Sequence, residues 1–103
     1  MPAYLIYDAV VTDPQQYEQY KTLTPVAIAA YDGKFIVRGG KHESVEGDWN
    51  PNRMVMVEFP SYERAQEFWN SPEYAAARKT REGAAIAKAV IVQGLDASQG
   101  ERP

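Results

Sequence analysis

Six side chains in this sequence carry chemistry beyond packing: Asp8, Arg38, His42, Glu58, Tyr74 and Arg81. A carboxylate such as Glu58 can accept a proton from an activated carbon or phenol, and a guanidinium such as Arg38 can steady the oxyanion that results. His42 is the single histidine and the second candidate base; the alternative is a solvated loop residue. Tyr74, Ala77, Arg78 and Arg81 recur at helical spacing, so Tyr74 and Arg81 share one helix face and can hold an anionic ligand together at a sheet edge. Surface pairing of Arg81 with Glu73 or Glu82 is the competing reading. One histidine among scattered carboxylates makes no metal-ligand set, and no cofactor is implied. The chain has no serine-histidine-acid ordering, P-loop or dinucleotide glycine pattern, and Gly39-Gly40 alone is too weak to be a phosphate cradle.

These residues must be positioned by a small domain. A chain of 103 residues makes one domain, and a core of this size buries only about two-thirds of the unfolded surface, so a partner subunit would help it. The predicted domain spans residues 1–95, followed by a flexible polar tail at 96–103. Eleven basic against 14 acidic residues give a net charge of −3 without clustered Lys or Arg, which argues against nucleic acid as a partner. The absence of cysteine excludes disulfides, Cys-based zinc sites and thiol catalysis. No apolar run approaches the roughly 20 residues of a membrane helix, and Met1-Pro2-Ala3 leads into a strand with no signal-like segment, so the chain reads as cytoplasmic and away from membranes.

Ala3 to Thr12 reads as a strand ended by Asp13-Pro14. Asp13 is an N-cap, Pro14 suits the first helical position, and Tyr17, Tyr20, Thr24, Ala27 and Tyr31 give the helix a Tyr-rich docking stripe. Pro25 predicts a kink or a break near Leu23 and Thr24. Lys34 to Arg38 forms the second strand, which Gly39-Gly40 bends and Lys41 to Val45 extends; Glu46 to Asn52 is a loop and Arg53 to Phe59 the third strand. Ser61 and Ser71-Pro72 start two short helices, the second running to about Glu82, and Lys88 to Gln93 is the last strand. The order is βαββαβ, an α+β ferredoxin-like antiparallel sheet with helices on one face.

Alternation along strands splits the sheet into two faces. Leu5, Tyr7, Ala9, Val11, Phe35, Val37, Val55, Val57, Phe59, Val90 and Val92 are assigned to the helices. The other face then carries Tyr4, Ile6, Asp8, Val10, Ile36, Arg38, Met54, Met56, Glu58, Ala89, Ile91 and Gln93. A wet sheet face should be polar, and Ile6, Ile36, Met54, Met56 and Ile91 are not, so this face is expected to be covered by a second copy of the chain, with Trp49 as a further interface anchor. Asp8, Arg38 and Glu58 would sit in or beside the enclosed space, either as a structural ion pair or as a ligand pocket with Tyr74 and Arg81 at its edge.

The spacing of Arg38-Gly39-Gly40, Glu46-Gly47-Asp48-Trp49, Arg53, Glu58-Phe59-Pro60-Ser61, Ala65, Ser71-Pro72-Glu73-Tyr74 and Arg81 closely resembles the thirteen-thirty domain-of-unknown-function family over residues 3 to 95. The resemblance implies a member of the dimeric α+β barrel superfamily, with two ferredoxin-like subunits packed sheet to sheet, and supplies no activity. Phe68-Trp69 stands where the family usually has Trp-Tyr, and Val92-Gln93-Gly94 where it usually has Val-Glu-Gly. The second change removes a possible base, leaving Glu58 or Asp8 to serve in any mechanism needing one. Three readings follow: a homodimer binding a small, partly apolar or anionic molecule; a cofactor-independent monooxygenase or isomerase using Glu58 or His42 as base; and a structural dimer with a filled interior.

Overall fold

A computed structural model describes residues 1–95; the tail expected at 96–103 lies outside the described residues. Strand β1 (Ala3–Val11) buries Ala3, Leu5, Tyr7 and Ala9 in strict alternation. Asp13 caps helix α1 (Pro14–Ala30) by accepting the Gln16 N–H at 3.1 Å, with Pro14 opening the first turn. The break expected at Pro25 does not occur: α1 is one helix of 17 residues. Proline removes one backbone donor, but Tyr17, Tyr20 and Thr24 before it and Ala27 and Ile28 after it are all buried, and this common stripe outweighs the lost bond. Beyond α1, Asp32 takes a left-handed φ of 64° and the Gly33 N–H reaches back to the Ile28 carbonyl. A Cβ on Gly33 would come within 2.7 Å of the Phe59 ring, so only glycine permits this approach.

Strands β2 (Lys34–Arg38) and β3 (Met54–Phe59) follow, then helices α2 (Tyr62–Trp69) and α3 (Pro72–Thr80) and strand β4 (Ala85–Gln93). Ser61 and Ser71 cap α2 and α3 by accepting the N–H groups of Arg64 and Tyr74. The sheet is antiparallel in the order β2-β3-β1-β4, with the helices on one face, which is the ferredoxin-like arrangement. Its core is aromatic, with Tyr74, Phe59 and Phe68 the largest fully buried side chains. The expected extension of β2 through Lys41–Val45 is absent: Gly39 turns the chain at a φ of 69° after a last ladder bond to the Met54 carbonyl, and residues 40–53 form no regular strand. The last strand instead begins at Ala85, paired with Val11, three residues before the expected Lys88.

Two face assignments require correction. Along β4, Ile91 lies opposite Leu5 and Ala89 opposite Tyr7, which puts Ile91, Ala89 and Gln93 on the helix side; Ile86, Val90 and Val92 occupy the open face. Ile91 packs against the core and does not belong with the open-face interface candidates. In β2 the ladder slips at Ile36: Phe35 faces Val57, Val37 faces Met56 and Arg38 faces Val55. A one-residue bulge flips every side chain beyond it, so Val37 joins the open face and Arg38 turns toward the helices. The open face therefore presents Ile6, Val10, Val37, Met54, Met56, Ile86, Val90 and Val92, with Lys34, Glu58, Asp8 and Lys88 among them. Ile86 and Val90 are 66% and 55% exposed, more than an ordinary core-forming strand shows.

Candidate functional site

A cleft opens between the helix side of the sheet and α1. Leu5, Val55 and Val57 form its floor, Tyr17, Tyr20, Thr24 and Ile28 of α1 its roof, and Phe68 and Tyr74 close its inner end. Its volume is about 40 Å³, the room of a very few water molecules. Two buried hydroxyl pairs line it: Tyr7 with Tyr17 at 2.9 Å and Tyr20 with Tyr74 at 2.7 Å. The helical spacing of Tyr17 and Tyr20 brings their rings to 5.1 Å, while Tyr7 comes up from the sheet and stacks on Tyr20 at 6.2 Å.

Arg81, the C-cap of α3, extends into this cluster, its guanidinium carbon 5.2 Å from the Tyr20 ring centre and 5.7 Å from that of Tyr7. Its Nε is buried with no hydrogen-bond partner, and among the described residues no carboxylate pairs with the side chain. Burial lowers the Arg81 pKa, but the neighbouring phenols of Tyr74, Tyr7 and Tyr20 outweigh this and raise it above the ordinary arginine value, so the arginine stays charged. Burial pushes the Tyr7 phenol well above its ordinary pKa, with Tyr20 adding to the rise. Tyr74 is raised for the same first reason, and Arg81 only partly opposes it. Both phenols stay protonated at physiological pH and act as neutral hydrogen-bonding groups.

The mouth of the cleft is cationic. The bulge at Ile36 aims Arg38 across Phe35, guanidinium carbon to ring centre 4.4 Å, and Arg53, just ahead of β3, joins it. Gly39 makes room for Arg53: a Cβ there would lie 2.5 Å from its Nη1. Lys21 completes the rim, bonded to Glu18 at 3.0 Å. Among the described residues three cationic side chains and no carboxylate line the cleft, in a chain whose net charge is −3.

The residues expected to act together are divided by the sheet. Arg38, Tyr74 and Arg81 lie on the helix side, with Tyr74 buried in the core and Arg81 half-buried beside the Tyr20 ring. Asp8 and Glu58 lie on the open face, and neither pairs with Arg38. Asp8 Oδ1 accepts the backbone N–H groups of Asn52 at 2.9 Å and Arg53 at 3.3 Å, which fastens the long loop to β1. Among the described residues Glu58 pairs only with Lys34, at 3.9 Å. His42 sits in the loop with Nδ1 3.2 Å from the Gly40 carbonyl and Nε2 2.8 Å from that of Pro51. Trp49 lines a shallow depression on the open face beside Ile6 and Val90. Among the described residues no group of His, Cys, Asp or Glu is placed to hold a metal, and no helix is long and apolar enough to cross a membrane. The sequence reading missed Tyr7, Tyr17, Tyr20 and Arg53 as site residues. The signal was present in the Tyr-rich stripe, because a tyrosine buried on a docking face needs a partner for its hydroxyl.

The sequence profile of a domain of unknown function, DUF1330, matches residues 2–95, and the chain belongs to that family. A search against curated proteins returned no match. Among solved structures, a protein of unknown function from Rhodopseudomonas palustris is 19% identical with a TM-score of 0.71, covering 92% of this chain and 83% of its own. A dimeric ferredoxin-like protein of unknown function from Thermobifida fusca is 19% identical with a TM-score of 0.62, covering 91% and 92%. SnoaB, a cofactor-independent oxygenase from Streptomyces nogalater, is 11% identical with a TM-score of 0.61, covering 92% and 94%. At these identities the likeness is one of fold.

Proposed function

We propose that this DUF1330 protein is a homodimer whose protomers each bind a small, partly apolar anion in the cleft between the sheet and α1. The observation that carries this reading is the lining: Lys21, Arg38 and Arg53 with no carboxylate, above apolar and aromatic walls. Uncompensated guanidinium groups beside a low-dielectric wall attract an oxyanion, and Arg is suited to hold a carboxylate by two bonds at once. The cleft in its present form is narrow, so a ligand larger than a few water molecules must displace the Arg38 and Arg53 side chains or lift α1 as it enters. Homodimerisation through the open sheet face is supported by its apolar side chains and by the dimeric ferredoxin-like neighbour of the same fold.

Binding is favoured over catalysis because the cleft offers donors and cations but no base. Its phenols at Tyr7 and Tyr74 are held protonated, and Glu58 and His42 lie elsewhere. Native mass spectrometry of the purified protein, followed by titration of any released anion by calorimetry, tests the proposal. Arg38→Ala combined with Arg53→Ala should weaken binding by more than tenfold, since two charge-assisted contacts of about 1.5–3 kcal/mol each are lost. Unchanged affinity in that double variant would remove the cleft as the site.

A further inference from the structure

The loop of residues 40–52 joins the two cleft arginines: Arg38 stands two residues before Gly40, and Arg53 two residues after Pro51. His42 bridges the neck of that loop, with Nδ1 3.2 Å from the Gly40 carbonyl and Nε2 2.8 Å from that of Pro51. Both carbonyls only accept, so the two bonds together need an N–H on each ring nitrogen, which is the charged imidazolium. A neutral ring keeps one N–H and releases one side of the neck. Two further ties flank it: the Gly39 N–H donates to the Met54 carbonyl at 2.7 Å, and Asp8 Oδ1 accepts the N–H groups of Asn52 and Arg53. Of the three, the imidazole is the tie that gains or loses a donor near neutral pH. The arginines feel the neck directly, because Arg53 Nη1 lies 2.5 Å from where a Gly39 Cβ would stand. Any slip of residue 39 against residue 53 changes the spacing of the two guanidinium groups that a carboxylate has to meet.

We infer that His42 is a positioning residue for the cleft anion: its charged ring closes the loop neck and holds Arg38 and Arg53 at the spacing that receives an oxyanion, and loss of its proton loosens that grip. This rests on the cleft reading above and adds a pH control to it. The ring lies beside Met54 and Asp8 of the open face and not in the cleft. Asp8 acts on it from β1 and favours the charged form, Lys41 and Glu43 flank it, Glu46 lines the same depression, and Arg53 turns to the cleft. The Pro51 carbonyl first, then that of Gly40, raises the His42 pKa above the ordinary value. Tight binding is therefore complete below about pH 6.5 and is lost as pH rises through the raised value.

Calorimetric titration with benzoate, whose carboxylate stays ionised throughout, tests this at pH values on both sides of the His42 midpoint read by NMR. The affinity of the unmodified protein should fall about fivefold from the acid to the alkaline side, the low end of ordinary coupling between two sites. Coupling is reciprocal, so saturating benzoate should raise the His42 midpoint by about 0.7 on the pH scale, the logarithm of the same factor. His42→Gln has no ring proton to lose and should bind benzoate with the alkaline-side affinity at every pH of the series. The fivefold ratio should persist at about 0.5 M ionic strength, where attraction across more than a few ångströms is screened. A flat profile in the unmodified protein, an unmoved midpoint, a slope kept by His42→Gln, or a ratio that salt abolishes overturns the inference and leaves the anion-binding cleft standing. No benzoate binding at any pH overturns the cleft reading and this inference with it.

Discussion

Asp8 and His42 have the side chains of catalytic residues and the contacts of fasteners. Asp8 spends one oxygen on two backbone N–H groups, which ties residues 52 and 53 to β1 and thereby fixes Arg53 just ahead of β3. His42 faces a carbonyl oxygen from each ring nitrogen, and a neutral imidazole has one N–H, so only the doubly protonated ring satisfies both. The Pro51 carbonyl foremost, then that of Gly40, raises its pKa above the ordinary histidine value. The folded pKa exceeds the unfolded one, so the contribution of His42 to loop stability is fully present below about pH 6.5 and is lost as pH rises through the raised value. Amide protection factors across residues 39–53 should fall as pH rises through the raised His42 value, and His42→Gln should flatten that profile. A His42 NMR titration midpoint at or below the ordinary value would contradict the assignment. A ring held this way is a poor proton acceptor, which is why binding and not base catalysis is drawn from this molecule.

At the level of elements, the β2 bulge decides which side of the sheet Arg38 serves. Because Phe35, Val37 and Arg38 already face Val57, Met56 and Val55 in succession, deleting Ile36 would close the ladder without moving any of these partners. The deletion should therefore cost no more than about 1 kcal/mol in urea unfolding, near the centre of ordinary single-residue effects, and should preserve Arg38-dependent anion binding. Deleting Val57 from the partner strand would put its residues out of register and should unfold the protein. This also marks where the sequence could be read and where it could not. The starts at Asp13-Pro14, Ser61 and Ser71-Pro72 were legible because a cap is local chemistry, and all three act as caps here. The bulge was assigned to Gly39-Gly40 because glycine is its usual local sign, but it falls at Ile36, a residue with no such sign. In β4 both parities are apolar, so alternation gave no preference. The alanines lie on the side where α2 packs against β4, while Ile86, Val90 and Val92 turn outward. That choice comes from layer spacing, a property of the folded molecule. Of the five residues expected in or beside one pocket, Asp8 and Glu58 were separable from Arg38 only once register placed them on opposite sides of the sheet.

The whole molecule is a single sheet with helices on one side and an apolar surface on the other. Its total accessible surface is 6812 Å², and a standard stable interface takes about 800 Å² from each partner. A four-stranded face carrying Ile6, Met54, Met56, Ile86, Val90 and Val92 is of the right kind and extent for a proposed homodimer. Val90→Asp places a carboxylate in the middle of that face, and burying two such charges across a twofold axis is costly without a partner cation. Light scattering at micromolar concentration should show the unmodified protein as a dimer and Val90→Asp as a monomer that still folds, since Val90 is exposed in the protomer. The cleft lies on the opposite side of the sheet from Val90. Dimerisation and ligand binding should then separate: the Val90→Asp monomer should keep its affinity for a cleft anion within about threefold, well under the 1.4 kcal/mol that corresponds to a tenfold change. Loss of the dimer and of the ligand together would instead place the ligand between the two sheets, beside Asp8 and Glu58. Retained binding in a monomer would assign the chemistry to Arg38, Arg53 and the tyrosines on the helix side.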